Sequence, residues 1–230
     1  MDSKSALLLL YVTACTVLTV PAVAGGAAEL SVTVTSSARA GAVGTGSAIE
    51  GAVVIAEPLH TQSQPRGGQK AVMDQRNLQF VPEVLVVQTG TAVDFPNSDQ
   101  VRHQVYSFSG AKKFELSLYA GRAHAPVVFD TAGLVTLGCN IHDNMLGYIV
   151  VTDSPWYGRT APDGRVQLHE LPPGEYRVRV WHALLNESGP QLEQRVTVTD
   201  GQLSTVNFQF TKPLRTAVHS HGSDKTWTDY

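Results

Sequence analysis

Read for polarity alone, several short stretches of the chain repeat with a period of two. Apolar and polar residues alternate over Leu30–Thr35, Arg165–His169, Arg177–Trp181 and Ser204–Phe210. That period is the mark of a strand with one buried face. Other stretches read as short strands rich in β-branched, aromatic and aliphatic residues: Gly51–Ala56, Leu78–Val81, Val84–Gln88, Thr91–Phe95, His103–Phe108, Phe114–Tyr119, Pro126–Phe129, Leu134–Gly138 and Gly147–Thr152. Turn residues separate the runs, as at Gln88-Thr89-Gly90-Thr91, Thr131-Ala132-Gly133 and Asp163-Gly164. No segment carries the 3.6-residue period of a long amphipathic helix. Many short strands with regular punctuation predict an all-β chain built as Greek-key sandwiches.

The punctuation also divides the chain. Residues 1–24 read as a signal peptide. Lys4 supplies the positive start, Ala6–Val20 the short apolar stretch, and Pro21-Ala22-Val23-Ala24 the small residues of a cleavage site. Val12-Thr13-Ala14-Cys15 offers a lipoprotein reading that fits less well, because the apolar run continues past Cys15. Residues 25–46, rich in Gly, Ala and Ser, read as a flexible lead-in with one possible strand, whose partner the sequence leaves open. Residues 47–153 make a first β domain, with a loop over Glu57–Lys70. Pro155 and Gly158 read as a linker. Residues 158–211 make a second, smaller β domain, and 212–230 a disordered polar tail.

Composition narrows the function. The net charge is -3 and there is no basic stripe, which argues against a nucleic-acid partner. No segment beyond the signal could span a bilayer. The chain has two cysteines, and cleavage of the signal removes Cys15. Cys139 then stands alone in an oxidising, periplasmic compartment. An unpaired thiol there is either buried as an apolar group or bound to a metal.

Its surroundings favour the metal. The segment Leu137-Gly138-Cys139-Asn140-Ile141-His142-Asp143-Asn144-Met145-Leu146-Gly147 puts thiolate, imidazole and thioether within seven residues, between two predicted strands. That soft donor set suits copper and not magnesium or calcium. One more imidazole completes a His2Cys site with a weak axial Met. His103, at the start of a strand after Phe95-Pro96-Asn97-Ser98-Asp99, is the best candidate. His124, His60, His169 and His182 read as surface or packing residues, and His219 and His221 as part of the tail. There is no nucleophile elbow, P-loop or HExxH, so the chain reads as a non-enzyme.

These residues carry a resemblance. Residues 47–153 resemble the plastocyanin and amicyanin group of cupredoxins, through "NLQFVPEVLVVQTGTAVDFPNSDQVRHQV" and "FDTAGLVTLGCNIHDNMLGYIVV". The Cys-x2-His-x2-Met spacing is the short one of amicyanin. The resemblance implies one type 1 (blue) copper held by His103, Cys139, His142 and Met145, single-electron transfer, and a redox partner protein. Where such proteins carry Asn after the first ligand His, this chain has Gln104. Where many carry Pro before the second His, it has Ile141. The stretch Asp163–Val180 is similar to transthyretin-like or carboxypeptidase-regulatory-like modules. The whole chain also resembles bacterial methylamine-utilisation proteins. A different class of function stays open: a copper-binding or scaffold protein whose second β domain docks a partner without redox turnover.

Overall fold

The computed structural model describes residues 28–37, 46–61, 68–121, 125–186 and 188–215. The expected signal peptide lies outside them, as do His124 and residues 216–230. In chain order the strands are β1 (Ala28–Ser36), β2 (Ser47–Ala48), β3 (Val53–Pro58), β4 (Lys70–Val72), β5 (Asp74–Arg76) and β6 (Gln79–Val81). Next come β7 (Val84–Gln88), β8 (Thr91–Asp94), β9 (His103–Ser109), β10 (Lys112–Tyr119), β11 (Val127–Phe129) and β12 (Gly133–Cys139). The series ends with β13 (His142–Thr152), β14 (Tyr157–Arg159), β15 (Arg165–Leu171), β16 (Gly174–Trp181), β17 (Glu193–Val198) and β18 (Leu203–Phe210). Among the described residues the one helical element is a 3-10 turn at Pro190–Leu192, and no helix is long and apolar enough to cross a membrane. The fold class is all-β, as the alternation predicts.

One sandwich faces the sheet β10-β9-β12-β13-β7 with the sheet β11-β8-β4, and the hairpin β5-β6 lies beside them. Its core gathers the inward side of each strand, including Met73, Phe80, Val105, Phe129, Val135, Leu137 and Ile149, all at most 1 % exposed. The other sandwich pairs the sheet β15-β1-β18 with β14-β3-β16-β17 around Leu30, Val32, Ile49, Val54, Tyr176, Val178 and Phe208. A smaller cluster of Val53, Ile55, Val84 and Val150, with Tyr148 and Trp181 against it, joins the two.

Strand pairing corrects the expected boundaries. The strand in the lead-in is β1, and it lies in the middle of a second-sandwich sheet, antiparallel to β15 and parallel to β18. Residues 53–58, expected in the first domain, form β3, which runs antiparallel to β16 along Val53–Pro58 and also to β14. The expected linker near Pro155 contains β14 and is part of that same sheet. The chain therefore starts the second sandwich, leaves it to build the whole first sandwich, and returns. The physical reason is that Val53–Ala56 is almost fully buried on both faces. Such a run states that a strand is central without stating which sheet it is central to. The start of the expected tail is also tied down: the Arg215 N–H and guanidinium donate to the carbonyls of Leu184 and Ala183.

Candidate metal centre

The candidate ligands arrive from three strands of one sheet. His103 opens β9, Cys139 closes β12 and His142 opens β13. β12 and β13 are neighbours, and β9 lies on the other side of β12. The turn between β12 and β13 is only Asn140-Ile141. The register slips after Gly138, so that Cys139 pairs directly with His142. The expected loop carrying His142 is thus a tight two-residue turn, and His142 and Met145 both belong to β13.

Two glycines frame this segment. A Cβ on Gly138 would lie 2.7 Å from two atoms of the Tyr106 ring, and one on Gly147 would lie 2.8–2.9 Å from Phe80. Without side chains at these points, Tyr106 closes over the strand end at Cys139 and the hairpin β5-β6 closes onto β13.

Three donor atoms converge. His103 Nδ1 is 3.2 Å from His142 Nδ1, and Cys139 Sγ is 3.7 Å from the first and 3.6 Å from the second. A point in the plane of these atoms lies about 2 Å from each; metal–imidazole bonds are about 2.0 Å and metal–thiolate bonds about 2.3 Å. Two ring nitrogens and a sulfur at this spacing repel one another through their lone pairs unless a proton or a cation sits among them. The geometry and the donor chemistry therefore both fit a soft metal. His103 and Cys139 are buried, and His142 is half-buried. Met145 is 2 % exposed and packs in the same core cluster as Cys139. Beside His142, Ile141 and Leu146 are exposed at 53 % and 47 %.

Burial, and then the neighbouring His103 ring, hold the His142 imidazolium below its ordinary range, and Asp99 partly opposes them. A neutral imidazole is the form that donates to a metal.

The sequence did not single out the groups behind the ligands. Asp99 Oδ2 is 2.7 Å from His103 Nε2, on the far side of the ring from Cys139. Asp99 also accepts from the N–H groups of Asn77 at 2.5 Å and Leu78 at 2.9 Å. Burial works to raise the Asp99 carboxyl, but Leu78, His103 and Asn77 together hold it below its usual range. Asn97 is 4 % exposed. Its amide donates to the carbonyls of Val101 and Tyr119, and its Oδ1 accepts the Asp99 N–H. Gln104, the residue after His103, points outward and donates to Glu115. Strand alternation requires this: with His103 turned inward, its successor faces out. In the sequence Asp99 stands four residues before the histidine in an Asn-Ser-Asp stretch, which carries only ordinary turn chemistry.

No protein-family model and no curated protein matches the chain. Solved structures do. A purple cupredoxin from Nitrosopumilus maritimus matches at 21 % identity, over 37 % of this chain and 100 % of that one, with a TM-score of 0.32. An amicyanin variant in its reduced state matches at 22 % over 42 % and 98 %, with a TM-score of 0.32. A copper-containing nitrite reductase from Thermus scotoductus matches at 23 % over 41 % of this chain and 25 % of that one, with a TM-score of 0.35.

Proposed function

We propose that the chain is a secreted, periplasmic type 1 copper protein that carries single electrons between redox partners; His103, Cys139, His142 and Met145 would hold one copper. The observation that carries this reading is the triangle of donor atoms, 3.2, 3.6 and 3.7 Å on its sides, set in a buried sheet end.

Copper bound there supplies a one-electron couple between Cu(I) and Cu(II). The protein supplies the rest. Strands β9, β12 and β13 hold the three donors in a fixed spacing, so little rearrangement accompanies a change of charge. The core around Leu137, Val105 and Met145 keeps water away from Cys139. A buried thiolate is shielded there from oxidation and from disulfide exchange. His142 is half-buried, and with exposed Ile141 beside it offers a way from the site to a partner surface. Four protein donors fill the ligand set, which leaves no position for a substrate, so the assigned role is carriage and not turnover.

The test is copper titration of the metal-free protein, followed by visible and EPR spectra. One copper per chain and an intense thiolate-to-copper band are expected. Cys139→Ser should abolish the band while the fold persists. A coloured serine variant, or a stoichiometry other than one, would overturn the reading.

A further inference from the structure

Asp99 sits where nothing in the ligand set requires an acid. Its side chain is 11 % exposed, and it faces His103 Nε2 at 2.7 Å, directly behind a ring whose other nitrogen faces Cys139 and His142. A carboxylate accepts only, so the hydrogen on this contact belongs to His103 Nε2. That fixes the tautomer and leaves the Nδ1 lone pair turned toward the other two donors.

The carboxylate is itself held by a device. The tip of the hairpin β5-β6 is Asn77-Leu78, and both residues are left-handed, with φ of 54° and 59°. Two-residue hairpin turns of this kind favour Asn then Gly, so Leu78 stands where a glycine is preferred. In this conformation both N–H groups of the tip reach Asp99. The hairpin is docked through further bonds: Gln75 N–H to the Pro96 carbonyl, Ser98 N–H to the Gln75 carbonyl, and the Ser98 hydroxyl to Asp74, which also pairs with Arg76. One acid thus receives two backbone N–H groups from one direction and an imidazole from the other. A carboxylate that only balanced the turn would have no reason to lie in line with a ligand ring.

We propose that Asp99 is the positioning and potential-setting residue of this centre: clamped by the β5-β6 tip, its carboxylate fixes His103 as an Nδ1 donor and makes that donor more electron-rich. This rests on the copper reading above. An anionic partner on the far nitrogen pushes density through the ring to Nδ1. The richer donor, and the negative charge itself, favour Cu(II) over Cu(I). Asp99 therefore lowers the reduction potential below what a neutral partner at the same place would give.

The experiment compares the full chain with D99N, D99E and, as a control for loss of a nearby exposed charge, D143N. Copper stoichiometry and the visible band of the unaltered protein come first, and their absence there would remove the copper reading before Asp99 is tested. With the band present, D99N should keep copper and shift the ratio of Cu(II) to Cu(I) affinity about tenfold toward Cu(I), read as a rise of about 59 mV in midpoint potential. D99E should return most of that shift, and D143N should produce clearly less of it. In the diamagnetic Cu(I) protein, nitrogen-15 NMR should show a slowly exchanging, downfield proton on His103 Nε2 that moves in D99N. A D99N potential unchanged, lowered, or raised no more than in D143N overturns the proposal. Should D99N fail to fold, the NMR signal of the unaltered protein and the potential of D99E decide: no protected Nε2 proton overturns it, and a protected proton with a near-native D99E potential supports it.

Discussion

Gly138 lies so close beneath the ring of Tyr106 that a Cβ on it would sit 2.7 Å from both the Cζ and the Oη atom. Gly138 immediately precedes Cys139, so whatever moves this strand end moves the thiol. Gly138→Ala is expected to destabilise the chain by about 1–3 kcal/mol through overpacking, measured by urea unfolding of the metal-free protein. The ring is only half-buried and can swing outward. In a Tyr106→Ala background the same glycine change should therefore cost much less, with a coupling of at least about 0.5 kcal/mol between the two sites. Additive effects would mean that the contact does not hold the strand end.

Tyr119 lies on β10 opposite His103, and its hydroxyl donates to the Phe95 carbonyl at 2.6 Å while accepting from the Gln75 amide at 2.5 Å. Burial, above all, pushes its phenol up to about 12, so it stays a neutral donor. Tyr119→Phe keeps the ring and strips a buried carbonyl of its partner. A loss of about 1–3 kcal/mol is expected, with little change in the copper band, because no ligand is touched. A loss below about 0.5 kcal/mol would show that this bond contributes nothing distinctive.

Acid should weaken the metal-free chain in two windows. Burial lowers the imidazoles of both His142 and His182, and the nearby His103 ring and Arg159 guanidinium act in the same direction. Their folded values lie below the ordinary 6.5. As pH falls through 6.5 the unfolded chain takes up protons that the folded chain refuses, so stability present at neutral pH is lost until the folded values are passed. Asp99 acts in the second window. Its folded value lies below 3.8, so its contribution is complete above 3.8 and lost as pH falls through the folded value. Melting temperatures followed from neutral to acid should fall in both windows. A flat curve down to about pH 5 would contradict the histidine part.

How far the sequence could be read depended on what each residue's signal specifies. Alternation placed β1, β15 and β18 within a residue or two, because a strand with one wet face has only one pattern. Cys139, His142 and Met145 stand out in the sequence because thiolate, imidazole and thioether within seven residues suit a soft metal. The structure brings His103, Cys139 and His142 together. Asp99 was not legible, since an Asn-Ser-Asp turn reads as ordinary turn chemistry. Only the tip of a distant hairpin gives the acid its orientation. β14 was missed because three residues between Pro155 and Thr160 carry no period. β3 was placed in the wrong sandwich because its partners lie more than a hundred residues away in β14 and β16.

That last point yields the sharpest prediction about the fold. A fragment cut at the boundaries suggested by the sequence, residues 47–153, carries β3 without β14 or β16, the two strands that pair with it. Val53, Val54, Ile55 and Ala56 would then lose their cover on one face and both ladders of backbone bonds. An apolar strand with both edges open is a template for association. A fragment of residues 68–153 omits β3 and keeps every strand of the first sandwich, along with His103, Cys139, His142 and Met145. Its newly exposed surface is the small patch around Val84, Tyr148 and Val150 that β3 and Trp181 cover in the full chain. The shorter fragment should therefore be the more soluble of the two and should keep the visible band on copper loading. The longer one should aggregate, although it contains more of the native sequence. Replacing Val84 and Val150 in the shorter fragment by threonine should improve its solubility further, since each would then face water. The measurement is soluble yield, sedimentation and the copper spectrum of the two fragments side by side. If residues 47–153 give the better-behaved, coloured protein, β3 belongs with the sandwich that carries His103 and Cys139, and its pairing with β16 is wrong.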